Sequence, residues 1–277
     1  RDYKVTGVQT CALPICLRYI SPKENYNAFF IFIHNANEEG HIGGIVDVQS
    51  LNEPFKKDIS VILNEATTRQ QERNLSFIQY YKLNKAANKE WRIYLKNDFS
   101  FRPSYFRFSD NKLNNKTDST FYDGIPFEVR GIRRYLNTSQ ISNGFYINGE
   151  RIKGIQGKIG LILDHFLITN LPSKKRRTDI TATFEGKIPF YKSLILETYA
   201  KLGLLQNLGN FDIKGRLDLS ISKIAKLQAN FRLFRTEPSY NVTDLVINEN
   251  IVFDTSYIKP VGTIFNVDIS IPQINFS

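Results

Sequence analysis

Thr178–Ile188 reads TDITATFEGKI. Ile180, Ala182, Phe184, Gly186 and Ile188 share one phase, and Asp179, Thr181, Thr183, Glu185 and Lys187 share the other. Successive side chains of a strand point to opposite faces, so this stretch has one apolar face and one charged face. The pattern continues. Leu194, Leu196, Ala200 and Leu202 oppose Glu197, Tyr199 and Lys201, less cleanly. Phe211, Ile213, Leu217, Leu219 and Ile221 oppose Asp212, Lys214, Arg216, Asp218 and Ser220. Strands of about 9–11 residues, one after another, are the signature of a transmembrane β-barrel.

Further strands are expected on both sides of this region, at Tyr26–His34, Ile59–Glu65, Asn74–Leu83, Trp91–Lys96, Phe127–Leu136, Gly154–Ile168, Lys226–Arg235, Asp244–Phe253 and Thr263–Ile271. Ile59–Glu65 and Asn74–Leu83 read as a pair. His34–Lys57 reads as a long connection containing Gly43-Gly44, and Asp110–Asp123, rich in Asn, Lys and Asp, as a mobile loop. Pro189–Lys192 and Ser222–Ala225 are short, whereas Leu204–Gly209 and Thr236–Thr243 are longer. Outer-membrane barrels pair short periplasmic turns with longer external loops. By that parity Leu171–Arg177, with its run Lys174-Lys175-Arg176-Arg177, faces outward as a solvated loop, or as one that meets headgroup phosphates. The fold expected is all-β: an antiparallel up-and-down transmembrane β-barrel, incomplete, since Asn275-Phe276-Ser277 follows Pro272, which reads as a turn into a further strand.

Residues 1–16 are set apart from this expectation. Val5–Ile15, VTGVQTCALPI, matches the translation of a sequencing-library adapter, with Arg1–Lys4 and Cys16 in frame on either side. The expected organisation is therefore an adapter-derived segment, 1–16, and a partial barrel, 17–277. The alternative is a short natural N-terminal strand. Without that segment the chain has no thiol, because Cys11 and Cys16 are its two cysteines. That leaves no disulfide framework, thiolate metal site or cysteine nucleophile.

Composition narrows the function. No apolar run approaches the ~20 residues of a membrane helix. The formal charge of +10 would ordinarily direct attention to nucleic acid, yet bases and acids are interspersed. On the polar faces Lys158, Lys187, Lys201, Lys214, Arg216 and Arg232 are matched by Asp179, Glu185, Glu197, Asp212, Asp218 and Asp268. A mixed lining suits a hydrated lumen better than a stripe that tracks phosphates. These twelve are the candidate lumen residues. Trp91, Tyr94, Phe190, Tyr191, Phe211 and Tyr240 lie near strand ends and are candidates for an interfacial aromatic girdle, with ordinary packing as the alternative. His34, His41 and His165 lack metal-ligand spacing, and no GxSxG elbow, P-loop or GxGxxG is present. No catalytic residue, metal site or cofactor is expected.

One stretch carries a resemblance. FRLFRTEPSY (Phe231–Tyr240), followed by Asn248, Asn250 and Phe253, resembles the putative porins of Bacteroidota-type bacteria. YISPKENYNAFF (Tyr19–Phe30), GGI (Gly43–Ile45), LNEA (Leu63–Ala66) and IQYYKL (Ile78–Leu83) are similar to the same family. The resemblance implies an outer-membrane β-barrel with a pore role. Its expected partners are outer-membrane lipid and small hydrophilic solutes, with no nucleic acid. Two other readings stay open: a non-conducting receptor or structural barrel, and a soluble lipid-binding β-protein with its apolar face inward.

Overall fold

The computed structural model describes residues 9–41, 43, 49, 61–63, 66–84, 90–111, 122, 131–151, 154–191, 193–221, 225–237, 244–254 and 258–271. They contain β1 (Gln9–Ile20), β2 (Tyr26–His41), β3 (Ala66–Lys82), β4 (Trp91–Asp110), β5 (Ile132–Arg151), β6 (Gln156–Asn170) and β7 (Ser173–Tyr191). After these come β8 (Leu194–Gly203), β9 (Phe211–Ile221), β10 (Ala225–Arg235), β11 (Asp244–Ile247), β12 (Asn250–Asp254) and β13 (Val261–Ser270). Eleven strands form one sheet in the order β1 to β10 and then β13. Every pairing is antiparallel, so the topology is up-and-down, and β1 and β13 are not paired with each other.

The register keeps one phase outward across the whole sheet. A single row runs Ala28, Gln79, Asn97, Phe145, Leu161, Ala182, Leu202, Phe211 and Arg235. The outward phase holds exposed Leu95, Ile147, Ile159, Phe184, Ile213 and Phe265. In water so much exposed apolar area would be a liability, whereas in a bilayer it is the surface that acyl chains cover. Four of the polar side chains that interrupt it satisfy one another. Tyr26 Oη donates to Gln79 Oε1 (2.9 Å), Gln79 Nε2 to Asn97 Oδ1 (3.3 Å) and Asn97 Nδ2 to Asn143 Oδ1 (2.7 Å). Polar groups facing hydrocarbon are tolerated when they are paired in this way.

Several expected boundaries move. β2 runs seven residues past the expected end at His34, to His41, so the first part of the expected His34–Lys57 connection is strand. β4 and β5 each span 20 residues, where only Trp91–Lys96 and Phe127–Leu136 were expected. At about 3.3 Å per residue such strands far exceed a membrane crossing. Beyond the bilayer both faces are wet, so the alternation that marks a strand fades. β3 pairs with β2 and β4, not with Ile59–Glu65. Of that segment the described residues are 61–63, outside the sheet. Lys174–Arg177 are not loop but part of β7, leaving Leu171-Pro172 as the turn. Asp244–Phe253 is not a strand of the sheet. It is the β11–β12 hairpin, turned at Asn248 and Glu249, whose φ of 49° and 63° fit a two-residue type I′ turn. Of the expected loop Asp110–Asp123, Asp110 closes β4 and Tyr122 is buried, while 112–121 and 123 lie outside the described residues. β1 includes Gln9–Cys16, part of the segment 1–16 expected to be adapter-derived, and residues 1–8 lie outside the described residues.

Candidate functional site: the inward wall and its mouth

The inward phase is charged because the sequence alternates, and it borders a cavity because the sheet curls. A cavity of about 1160 Å³ is lined by residues from Phe29 on β2 round to Asn266 on β13. Of the candidate lumen residues, Lys158, Glu185, Lys187, Glu197, Lys214, Arg216 and Arg232 line it. Lys201, Asp212, Asp218 and Asp268 occupy the same phase of β8, β9 and β13 without lining it. Asp179 sits higher on β7, bonded to Arg177 (2.7 Å).

Neighbouring strands neutralise one another. Lys158 bonds Glu185 at 2.7 Å and Lys187 bonds Glu197 at 2.8 Å. Arg232 grips Asp212 through two hydrogen bonds of 2.8 and 3.1 Å, and Lys214 approaches the same carboxylate at 3.3 Å. Arg216 meets Asp218 at 2.9 Å and donates to Gln228 (3.3 Å). Part-exposed pairs of this kind contribute little to stability. Their effect is geometric, since they lay long side chains along the wall and leave alternating charge facing the bore.

Aromatic rings carry part of the same wall. Lys96 and Lys158 lie 5.1 and 4.7 Å from the centroid of Tyr146, and Lys214 lies 4.7 Å from that of Tyr199. Tyr146 fits because Gly144 and Gly160 flank it. A Cβ at Gly160 would sit 2.3 Å from Tyr146 Cδ1 and 2.6 Å from the Phe145 carbonyl oxygen. Sequence reasoning missed Lys96, Tyr80 and Tyr146. The signal for Lys96 was there, as it alternates with Leu95, but the polar run Asn137–Ser139 hid the strand that carries Tyr146.

The girdle candidates divide. Trp91 faces outward against Gly149, and Phe190 and Tyr191 are exposed at the same end of the sheet. Phe211 is outward at the opposite end, in register with Leu202 and Arg235. Tyr94 belongs to the inward phase and lines the cavity, because it lies an odd number of residues from Trp91. Tyr240 is outside the described residues.

The end carrying the longer connections is partly covered. There the described residues between β10 and β13 reach β7. Arg177, on the inward phase of β7, bonds Glu237, and Lys259 bonds the same carboxylate at 2.8 Å. Burial pushes the Glu237 carboxyl up, but hydrogen bonds from Arg177 and Lys259 outweigh it and hold the group below the ordinary carboxylate range. Lys175 bonds Asp254 at 3.3 Å. Farther on, the β11–β12 hairpin docks at the end of β5. Asn248 N–H donates to the Arg133 carbonyl (2.9 Å), Arg133 N–H to Asn248 Oδ1 (2.9 Å) and Asn248 Nδ2 to the Gly131 carbonyl (3.0 Å). Ile247 joins buried Leu63, Ala66, Tyr122 and Ile132, the apolar cluster of the described residues. Ala66 and Ile132 lie in the inward phase, so the hairpin packs on the inner side of the wall.

An up-and-down sheet with an apolar outside and a charged, cavity-forming inside defines a porin-like outer-membrane β-protein. Among the described residues no group of His, Cys, Asp and Glu could hold a metal ion, and no helix is long and apolar enough to cross a membrane. The chain belongs to the putative porin family, whose model matches residues 1–246. No curated protein matches it.

Proposed function

We propose that this protein is an outer-membrane channel through which small hydrophilic solutes diffuse passively. The observation that carries the reading is the inner wall: paired cations and anions on adjacent strands around a cavity of about 1160 Å³, backed by an apolar exterior. Such a wall offers hydrated solutes a polar path with a mixed field and a weak ion preference. No chemical step belongs to this reading, and its partners are outer-membrane lipid and the permeating solutes, not nucleic acid. Lys214→Glu with Arg216→Glu replaces two cations of the wall by anions. Reversal potentials across a planar bilayer should shift toward cation preference, and unaltered potentials would remove these residues from the conducting path.

One observation favours a second reading, a non-conducting receptor or structural barrel. The β11–β12 hairpin occupies the inner side of the mouth. Single-channel recording separates the two, because a plugged barrel passes no current.

A further inference from the structure

The outward phase is apolar across the membrane belt, but above it, at the end with the longer connections, it becomes basic. Arg69 and Arg73 on β3, Arg107 on β4, Arg133 on β5, and Lys174 and Arg176 on β7 all take the outward phase. Arg69, Arg73, Lys174 and Arg176 are exposed. Among the strands of the main sheet, the outward phase holds one carboxylate, Glu38, while the others point inward. The asymmetry is local to β7 itself. Lys175 and Arg177, in the inward phase, are bonded to Asp254, Asp179 and Glu237, whereas Lys174 and Arg176 have no ion pair among the described residues. Arg107 lies over the Tyr135 ring (5.8 Å) with its Nε buried and unpartnered, and the Nε of Arg133 is likewise unpartnered.

Depth identifies what these cations meet. Arg176 shares a register row with Leu167, Ser139 and Pro103, and Arg73 falls on the same row. The row beneath carries Phe32, Leu75, Phe101 and Ile141, and then His165 and Thr178. Rows on one face are two residues, about 6.6 Å, apart along the strand. Along its own strand Arg73 lies one step beyond Leu75, and Arg176 is level with Leu167 and two steps beyond Ile180, so the first cations stand at the edge of the apolar belt, where headgroups begin. We infer that this collar binds the phosphate-bearing headgroups of anionic lipids in the leaflet at the end with the longer connections. The opposite end has no such collar among the described residues. There Trp91, Phe190 and Tyr191 are exposed, and the outward cation Arg151 is bonded to Glu90 (3.5 Å).

The inference rests on the membrane-barrel reading, and one experiment separates the two. The full chain carrying Trp91→Phe and Tyr105→Trp places its single indole beside the collar. It is reconstituted in vesicles containing either brominated phosphatidylglycerol or brominated phosphatidylcholine. Quenching by phosphatidylcholine reports insertion alone, and its absence would sink the barrel reading and the collar together. With insertion secured, the collar predicts stronger quenching by phosphatidylglycerol at position 105 and no preference at native Trp91 in the parent chain. Arg73→Gln and Arg176→Gln should each reduce the preference about five-fold, the equivalent of ~1 kcal/mol per cation at an anionic surface. Equal quenching by both lipids, the same preference at Trp91, or a preference that survives both substitutions would overturn the inference. So would displacement by inorganic phosphate but not by chloride at equal ionic strength, which would make the collar a site for free phosphate.

Discussion

Phe231 and Asn230 are adjacent on β10, yet they belong to different environments. Phe231 takes the outward phase with Leu227, Ala229 and Leu233 and is 42% exposed, while Asn230 takes the inward phase with Gln228 and Arg232. Phe231→Arg would place a guanidinium near the middle of the apolar belt. An arginine at the bilayer midplane of a barrel costs about 2–4 kcal/mol, or roughly 30- to 800-fold in the folding equilibrium. Asn230→Arg adds a cation to a wall that already pairs Arg216 with Asp218 and Gln228, and its cost should stay within about 0.5 kcal/mol, as for a surface change. Equilibrium refolding into phosphatidylcholine vesicles, followed by the fluorescence of Trp91, measures both. If the two substitutions cost the same, or Asn230→Arg costs more, the face assignment of β10 is wrong, and so are the strands that register on it.

Other outcomes follow from the packing. Gly160→Ala would press a methyl against Tyr146 and the Phe145 carbonyl, and thermal unfolding should show a loss of about 1–3 kcal/mol. Gly157→Ala, where nothing lies within 4 Å, should be close to neutral in the same assay. Glu237 has a depressed carboxyl pKa, so its stabilisation is present above the ordinary carboxylate range and is lost as pH falls through the folded value. Proteolysis of the β10–β13 connection should therefore quicken at acid pH, and Glu237→Gln should make it fast at neutral pH and flatten the dependence. Asn248→Ala leaves Arg133 N–H and the Gly131 carbonyl without their partner, and hydrogen exchange at the end of β5 should rise in line with a loss of about 1–3 kcal/mol.

The sequence made the membrane-crossing part of the fold legible and the rest much less so. β6 to β10 alternate because lipid covers one face and water the other, and their phases read from residues such as Leu161 and Lys187 agree with the register. The upper halves of β2 to β5 have water on both sides, so Asn137–Ser139 or Gln70–Glu72 carry no period. The basic run of β7 looked like a loop because charge was read without phase. Its alternate members in fact go to two destinations, the mouth and the outer surface. The hairpin dock was not legible at all. Asn248 and Gly131 are 117 residues apart, and only the curl of the sheet brings them together. The inner face was legible as a set of charges, but not as pairs, because pairing needs the cross-strand register.

The central claim is that opposite faces of one sheet meet acyl chains and water. Cysteines placed singly at positions 228 to 233, in a chain with Cys11→Ser and Cys16→Ser, test it in vesicles with a charged, membrane-impermeant thiol reagent. Labelling should be fast at Gln228, Asn230 and Arg232 and slow at Ala229, Phe231 and Leu233. Uniform labelling, or the opposite alternation, would contradict the account.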